Sequence, residues 1–187
     1  VAFELVRVMP SPINYMRLGT TSSDNNTKLI NYYKARSLAV ADKNYTALAQ
    51  ADTRIVSIEQ AKIDKAYAGL TLFVNKPDWA KIVKDNEKIV SPIDLSNRMQ
   101  NFFAQTNSCV TKFGGAELVK CFESVNNEQA ELTKQAKEAY KQECEERQRE
   151  LEYQRQQMLF RQQTYYERMK LFYTKLFAKY ILISPQV

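Results

Sequence analysis

Apolar residues along this chain recur mostly three and four apart, the spacing of a single helical face. The row is clearest between Thr27 and Val74. There Ile30, Tyr33, Ala41, Tyr45, Leu48, Ile55, Ile63, Ala66, Leu70 and Phe73 predict one long helix, broken at most once. Asn75-Lys76-Pro77 closes it, since proline has no N–H to continue the ladder. Asp78 is placed to cap a short helix from Trp79 to about Lys88. Ser91-Pro92-Ile93-Asp94 is a stronger start signal: a hydroxyl N-cap, proline at the first helical position, and a carboxylate by the positive end of the dipole. That helix is expected to run to about Gln105.

The two ends of the chain read differently. In residues 1–26, Val1, Phe3 and Leu5 alternate with small or charged residues, Pro10 and Pro12 fix the backbone, and Thr20 to Asn26 is polar. The pattern predicts an extended arm. Thr106 to Gly115 reads as a connection containing Cys109, followed by a helix from near Ala116 that carries Cys121. After Asn126-Asn127 a last helix begins and continues nearly to Tyr180. The expected organisation is an arm over 1–26, a helical region over 27–125 with a Cys109/Cys121 hairpin, and a long charged helix with a short tail over 126–187.

That last helix carries an incomplete seam. Cys144, Leu151, Met158, Tyr165 and Phe172 lie seven apart, but the companion row reads Gln148, Arg155, Gln162, Met169, Leu176. A coiled coil wants both rows apolar over several heptads, and here both are apolar only from Tyr165 onward. Glu143 with Arg147 and Glu145 with Arg149 stand at the i,i+4 spacing that supports a solvated helix. The pattern fits a helix lying along a partner, with Arg155, Arg161, Tyr165, Arg168, Met169, Phe172 and Leu176 as the candidate interaction residues.

Composition sharpens the class. Only four glycines and five prolines occur in 187 residues. This suits an all-α fold, because sheet-rich folds spend glycine on turns and bulges. There is no histidine, which removes the usual neutral-pH acid/base, the Ser-His and Cys-His pairs, and most zinc sites. Three cysteines cannot make a four-thiolate site, and Gly114-Gly115 belongs to no phosphate-binding loop. No cofactor is expected, and an enzyme is the least favoured class.

Net charge is +6, and its distribution is uneven. Residues 155–179 hold Arg155, Arg161, Arg168, Lys170, Lys175 and Lys179 against Glu167 alone. Three readings of this aromatic, basic end are open. In the plainest, an aromatic stripe is buried and its cations face water. In the others the segment lies on anionic lipid headgroups or binds nucleic acid. The last is the weakest, because no nucleic-acid-binding module accompanies it. No stretch approaches the roughly 20 apolar residues of a membrane span. The chain opens on Val1, as expected of a protein whose targeting peptide has been removed and equally of a trimmed chain.

Cys109 and Cys121 enclose eleven residues, with Gly114-Gly115 near the middle. Glycine permits the reversal that would set the two flanks side by side. In an oxidising compartment the pair would form a disulfide, stabilising by roughly 3 kcal/mol for a loop of this size. In a reducing cytosol the two would be free thiols. Cys144 sits among Glu143, Glu145 and Glu146, a setting that disfavours a reactive thiolate.

With these residues together, the chain resembles the PDSW accessory-subunit family of mitochondrial NADH:ubiquinone oxidoreductase (complex I). That family carries two cysteines separated by eleven residues with a glycine five positions after the first, matched here by Cys109, Cys121 and Gly114. An early Pro-x-Pro-Ile-x-Tyr-Met segment is similar to Pro10-Ser11-Pro12-Ile13-Asn14-Tyr15-Met16, and a later cysteine before a Gln/Arg-rich helix to Cys144–Gln163. The resemblance implies a non-catalytic subunit, peripheral to the inner membrane on the intermembrane-space side. It also implies a structural Cys109–Cys121 bridge, other subunits of the complex as partners, and a long helix running along them. A secreted or periplasmic helical adaptor, a cytosolic one, and a basic surface binder are the alternatives.

Overall fold

The computed structural model describes residues 2–71 and 75–183, and among them every regular element is an α-helix. In chain order these are α1 (Ala2–Val8), α2 (Pro12–Thr21), α3 (Asn25–Ala41), α4 (Tyr45–Ala68), α5 (Trp79–Asn86), α6 (Pro92–Lys112) and α7 (Gly115–Ile183). The all-α class expected from the sequence is the fold. The chain divides into two compact units, residues 1–137 and 138–187. Expectations placed on Val1, Phe73, Val74 and the last four residues fall outside the described residues.

Side-chain caps start five of the helices, α2 to α6. Side-chain oxygens of Ser11, Asp24, Asn44, Asp78 and Ser91 accept from the backbone N–H of Asn14, Thr27, Ala47, Ala80 and Asp94. Each satisfies an amide that the first turn leaves without a partner. The helix expected over 27–74 with at most one break is broken once, at Asp42-Lys43-Asn44, and it ends at Ala68, short of the expected Val74. Lys43 takes a left-handed φ of 52°, and the Asn44 amide bonds back to the Ala39 carbonyl at 2.9 Å. The reversal folds α4 against α3.

Three further expectations are corrected. Residues 2–8 and 12–21 are helices, not the extended arm expected. Ser11-Pro12 is the same cap-plus-proline start as Ser91-Pro92, and α2 lies on α3. The approach is close because position 19 is glycine: a Cβ there would stand 2.5 Å from the Tyr32 ring, which is itself buried.

Second, Thr106–Lys112 continues α6 and is no connection. Thr106 is fully buried and its hydroxyl donates to the Phe103 carbonyl at 3.1 Å, so a polar β-branched residue is satisfied inside the helix. Third, Asn126-Asn127 marks no helix start. The Asn126 amide reaches across to the Asn75 carbonyl at 2.6 Å and leaves its own helix unbroken through both asparagines.

The core of the first unit centres on Phe102 and Phe103 of α6. They meet edge-to-face with centroids 5.1 Å apart, and Trp79 of α5 lies 5.5 Å from Phe102. Ile55 and Ile63 come from α4, Leu29 and Tyr32 from α3, and Leu118, Phe122 and Val125 from α7. On α3 the buried row is Leu29, Tyr32, Ala35, Arg36 and Ala39. The expected face there was rotated, because Ile30 is more than half exposed.

Candidate functional site

Four buried or half-buried charged side chains tie the helices of the first unit together. The Arg36 guanidinium, on α3, donates from Nε to Ser96 Oγ at 2.7 Å and from a terminal nitrogen to Asn97 Oδ1. Ser96 passes the chain on, donating to Asp52 Oδ1 of α4 at 3.0 Å, and Arg36 Nε lies 3.9 Å from the same carboxylate oxygen. Three helices are thereby joined by one cation, one hydroxyl and one anion. Burial pushes the Asp52 carboxyl up to about 6, although the Ser96 hydrogen bond and the Arg36 charge pull it down.

Nearby, Glu59 is buried, accepting from Asn107 at 2.9 Å and pairing with Lys62 at 3.3 Å. Burial, helped by the Glu59 charge, holds the proton on Tyr33 well above the usual phenol range.

Arg98 of α6 uses neutral acceptors. It donates to Asn86 Oδ1 at 2.8 Å, to the Gln129 side-chain and main-chain oxygens at 3.1 and 2.7 Å, and to Thr133 Oγ1 at 2.8 Å. These bonds fasten α5 and α7 to α6. Burial lowers the Arg98 pKa from its ordinary value, without approaching neutrality for a guanidinium.

An apolar groove of about 450 Å³ opens beside this relay between α4, α5 and α6. Leu48, Val56, Trp79, Val83, Leu95 and Met99 line it, and Asp52 and Ser96 supply its polar edge. Among the described residues no three His, Cys, Asp or Glu side chains gather as a metal site. The Ser96 hydroxyl and the Asp52 carboxylate are both engaged with Arg36, so the relay ties three helices beside an apolar cleft.

The cysteine pair is joined: Cys109 and Cys121 bond at S–S 2.06 Å. Cys109 is in the last turn of α6, where its carbonyl also accepts the capping Phe113 amide. Gly115, at φ 53°, begins α7 in a left-handed conformation that a side chain rarely adopts. The reversal is therefore Phe113-Gly114 alone, shorter than expected. Cys144 is the free cysteine.

The chain matches no family model, no curated protein and no solved structure.

The candidate interaction residues all lie on α7 in the second unit. Arg155, Arg161 and Arg168 are exposed. Tyr165, Phe172 and Leu176 are also exposed, and Met169 is partly so. Tyr165 touches Tyr166 edge-on at 6.1 Å and Phe172 touches Tyr173 at 5.7 Å. Of the seven-residue row, Leu151 and Met158 are more than half exposed and Cys144 is partly covered. Among the described residues no helix is long and apolar enough to cross a membrane.

Asp52 carries a pH prediction. Its folded-state carboxyl titrates near 6, against a reference of 3.8. Between those values the folded protein holds more protons than the unfolded chain, so this residue's contribution to stability falls as pH rises from about 4 to about 6. The Asp52→Asn protein lacks this titration, so the stability of the parent relative to the variant is expected to fall as pH rises from about 4 to about 6, as read by urea unfolding of both proteins across that range. A difference unchanged with pH would show that Asp52 is not the titrating group.

Proposed function

We propose that this chain is a non-catalytic structural subunit of a membrane-associated protein assembly, with mitochondrial complex I as the specific candidate. The observation that carries the reading is the aromatic and aliphatic surface left open on α7, from Leu151 to Ile181. Monomeric soluble proteins rarely expose so many large apolar side chains together, and such surfaces mark interaction sites. On this reading, neighbouring subunits lie along α7, and the first unit anchors the helix through Arg98 and the Cys109–Cys121 bond.

The bond supports an oxidising compartment, the intermembrane space or, as the alternative, a bacterial periplasm. The Cys109, Gly114, Cys121 spacing supports the first. The absence of histidine, the usual neutral-pH acid/base, supports contact over catalysis.

The test uses the full tagged chain in its source, with membranes extracted in mild detergent and resolved on native gels. Migration with a large assembly containing NADH:ubiquinone oxidoreductase subunits is the expected result. Migration at the size of the free chain would overturn the subunit reading. A large assembly of other composition would keep it and remove complex I.

A further inference from the structure

We propose that residues 161–181 of α7 are a lipid-surface segment that lies on anionic bilayer headgroups. This goes beyond the assembly reading and can fail separately from it. Along this stretch Tyr165, Met169, Phe172 and Leu176 follow steps of four, three and four, which keeps them on one side of a helix. Tyr173 and Tyr180 widen the same side. Apart from the partly covered Met169, these side chains are between 40% and 70% exposed.

The cations border that apolar side in order. Arg161, Arg168 and Lys175 stand seven apart and Lys179 four further on, which makes one row along one edge. Lys170 lies on the opposite edge. Among the described residues none of the five is in an ion pair. Glu167 is the only carboxylate from residue 155 to 181, and it falls away from the apolar side.

Leu171 and Ile181 are exposed on the far side, but the side that carries Tyr165, Met169, Phe172 and Leu176 is edged by long basic side chains, as suits the boundary between acyl chains and phosphates. Rings and aliphatic groups enter the boundary while Lys and Arg stems reach up to the headgroups. Tyrosine suits that depth because its ring is apolar and its hydroxyl is wet. The charge selects the surface: five cations per helix are attracted to anionic lipid and gain nothing from neutral lipid. A nucleic acid would satisfy the cations but leave the aliphatic members, Met169 and Leu176, without a matching surface.

The experiment is flotation of the full purified chain with phosphatidylcholine vesicles, with or without about a third phosphatidylglycerol or cardiolipin, in low salt and at about 0.5 M salt. The expected result is binding to the anionic vesicles only, released by salt. The quadruple variant Arg161→Glu, Arg168→Glu, Lys175→Glu, Lys179→Glu should weaken it about a hundredfold or more. Phe172→Ser with Leu176→Ser should weaken it in low salt as well. The control Lys134→Glu, Lys137→Glu should bind as the parent does, and circular dichroism verifies that each variant is helical.

Absent binding, equal binding to neutral vesicles, or binding untouched by the quadruple reversal would each overturn the proposal. So would an oligonucleotide held with the same charge dependence while vesicles are ignored. A chain that ignores vesicles yet migrates with a large assembly defeats this inference alone. A chain that binds vesicles but joins no assembly defeats only the subunit reading.

Discussion

Replacing Phe102 with alanine should destabilise the protein by about 3–5 kcal/mol, the range for deleting a fully buried aromatic ring. Phe102 has no exposed surface and packs between Phe103 and Trp79. Its loss would remove the ring that joins α5 to α6 and leave a cavity. The surrounding side chains come from several helices and cannot all move into that space. Stability is read by urea unfolding, with Phe172→Ala as the comparison. Phe172 is 57% exposed, so its truncation should shift stability by no more than about 0.5 kcal/mol. Equal costs at the two positions would mean that the core is not centred on α6.

The second large effect is expected from the Cys109–Cys121 bond. Opening it should cost about 3 kcal/mol in the chain-entropy model, because the sequence separation is 12 and the unfolded chain regains that loop's freedom. Thermal unfolding of the parent with and without reductant gives the difference. The double variant Cys109→Ser, Cys121→Ser should match the reduced parent and be insensitive to reductant. Because Cys109 is buried, each serine also places a hydroxyl near the core, so the reductant comparison on the unmutated chain is the cleaner measurement. A parent whose unfolding ignores reductant would show that the bond does not contribute.

What the sequence disclosed, and what it hid, divides along physical lines. Helix starts marked by a polar cap were legible wherever the signal was read as a whole: Asp78 and Ser91 cap α5 and α6 as expected. Ser11-Pro12 carries the same chemistry, but the nearby Pro10 and the alternating residues before it suggested extended backbone. Polar residues inside helices misled in the opposite direction. Thr106 and Asn126 looked like loop residues because their side chains compete with the backbone for hydrogen bonds. Tertiary partners removed that competition at Asn126, and at Thr106 the bond goes back into the same helix.

The relay of Arg36, Ser96 and Asp52 was not legible at all. Its members are 60 and 44 residues apart, and only the fold brings them together. One local sign did exist: Arg36 interrupts the small and aromatic row Tyr32, Ala35, Ala39, where a charge has no business unless it is paired. The basic aromatic end was legible in composition and spacing. The reading in which its rings are buried within the chain is not the one seen, because those side chains are open.

Among the described side chains of α7 the last buried one is Gln129, and Thr133 and Ala136 are the last partly covered ones before Lys137. Upstream of that point and past the first turn, the amides of α7 beside its buried side chains are expected to exchange mainly when the packed first unit opens. Downstream, Glu143–Arg147 at 2.7 Å and Lys141–Glu145 at 3.9 Å offer only local support, worth a few tenths of a kcal/mol each. One continuous helix thus contains two regimes of hydrogen exchange. Its turns from Leu118 to Gln129 report global unfolding, and its later turns report the fraying of a solvated helix. Protection in those later turns would then measure occupancy, rising only while something covers them.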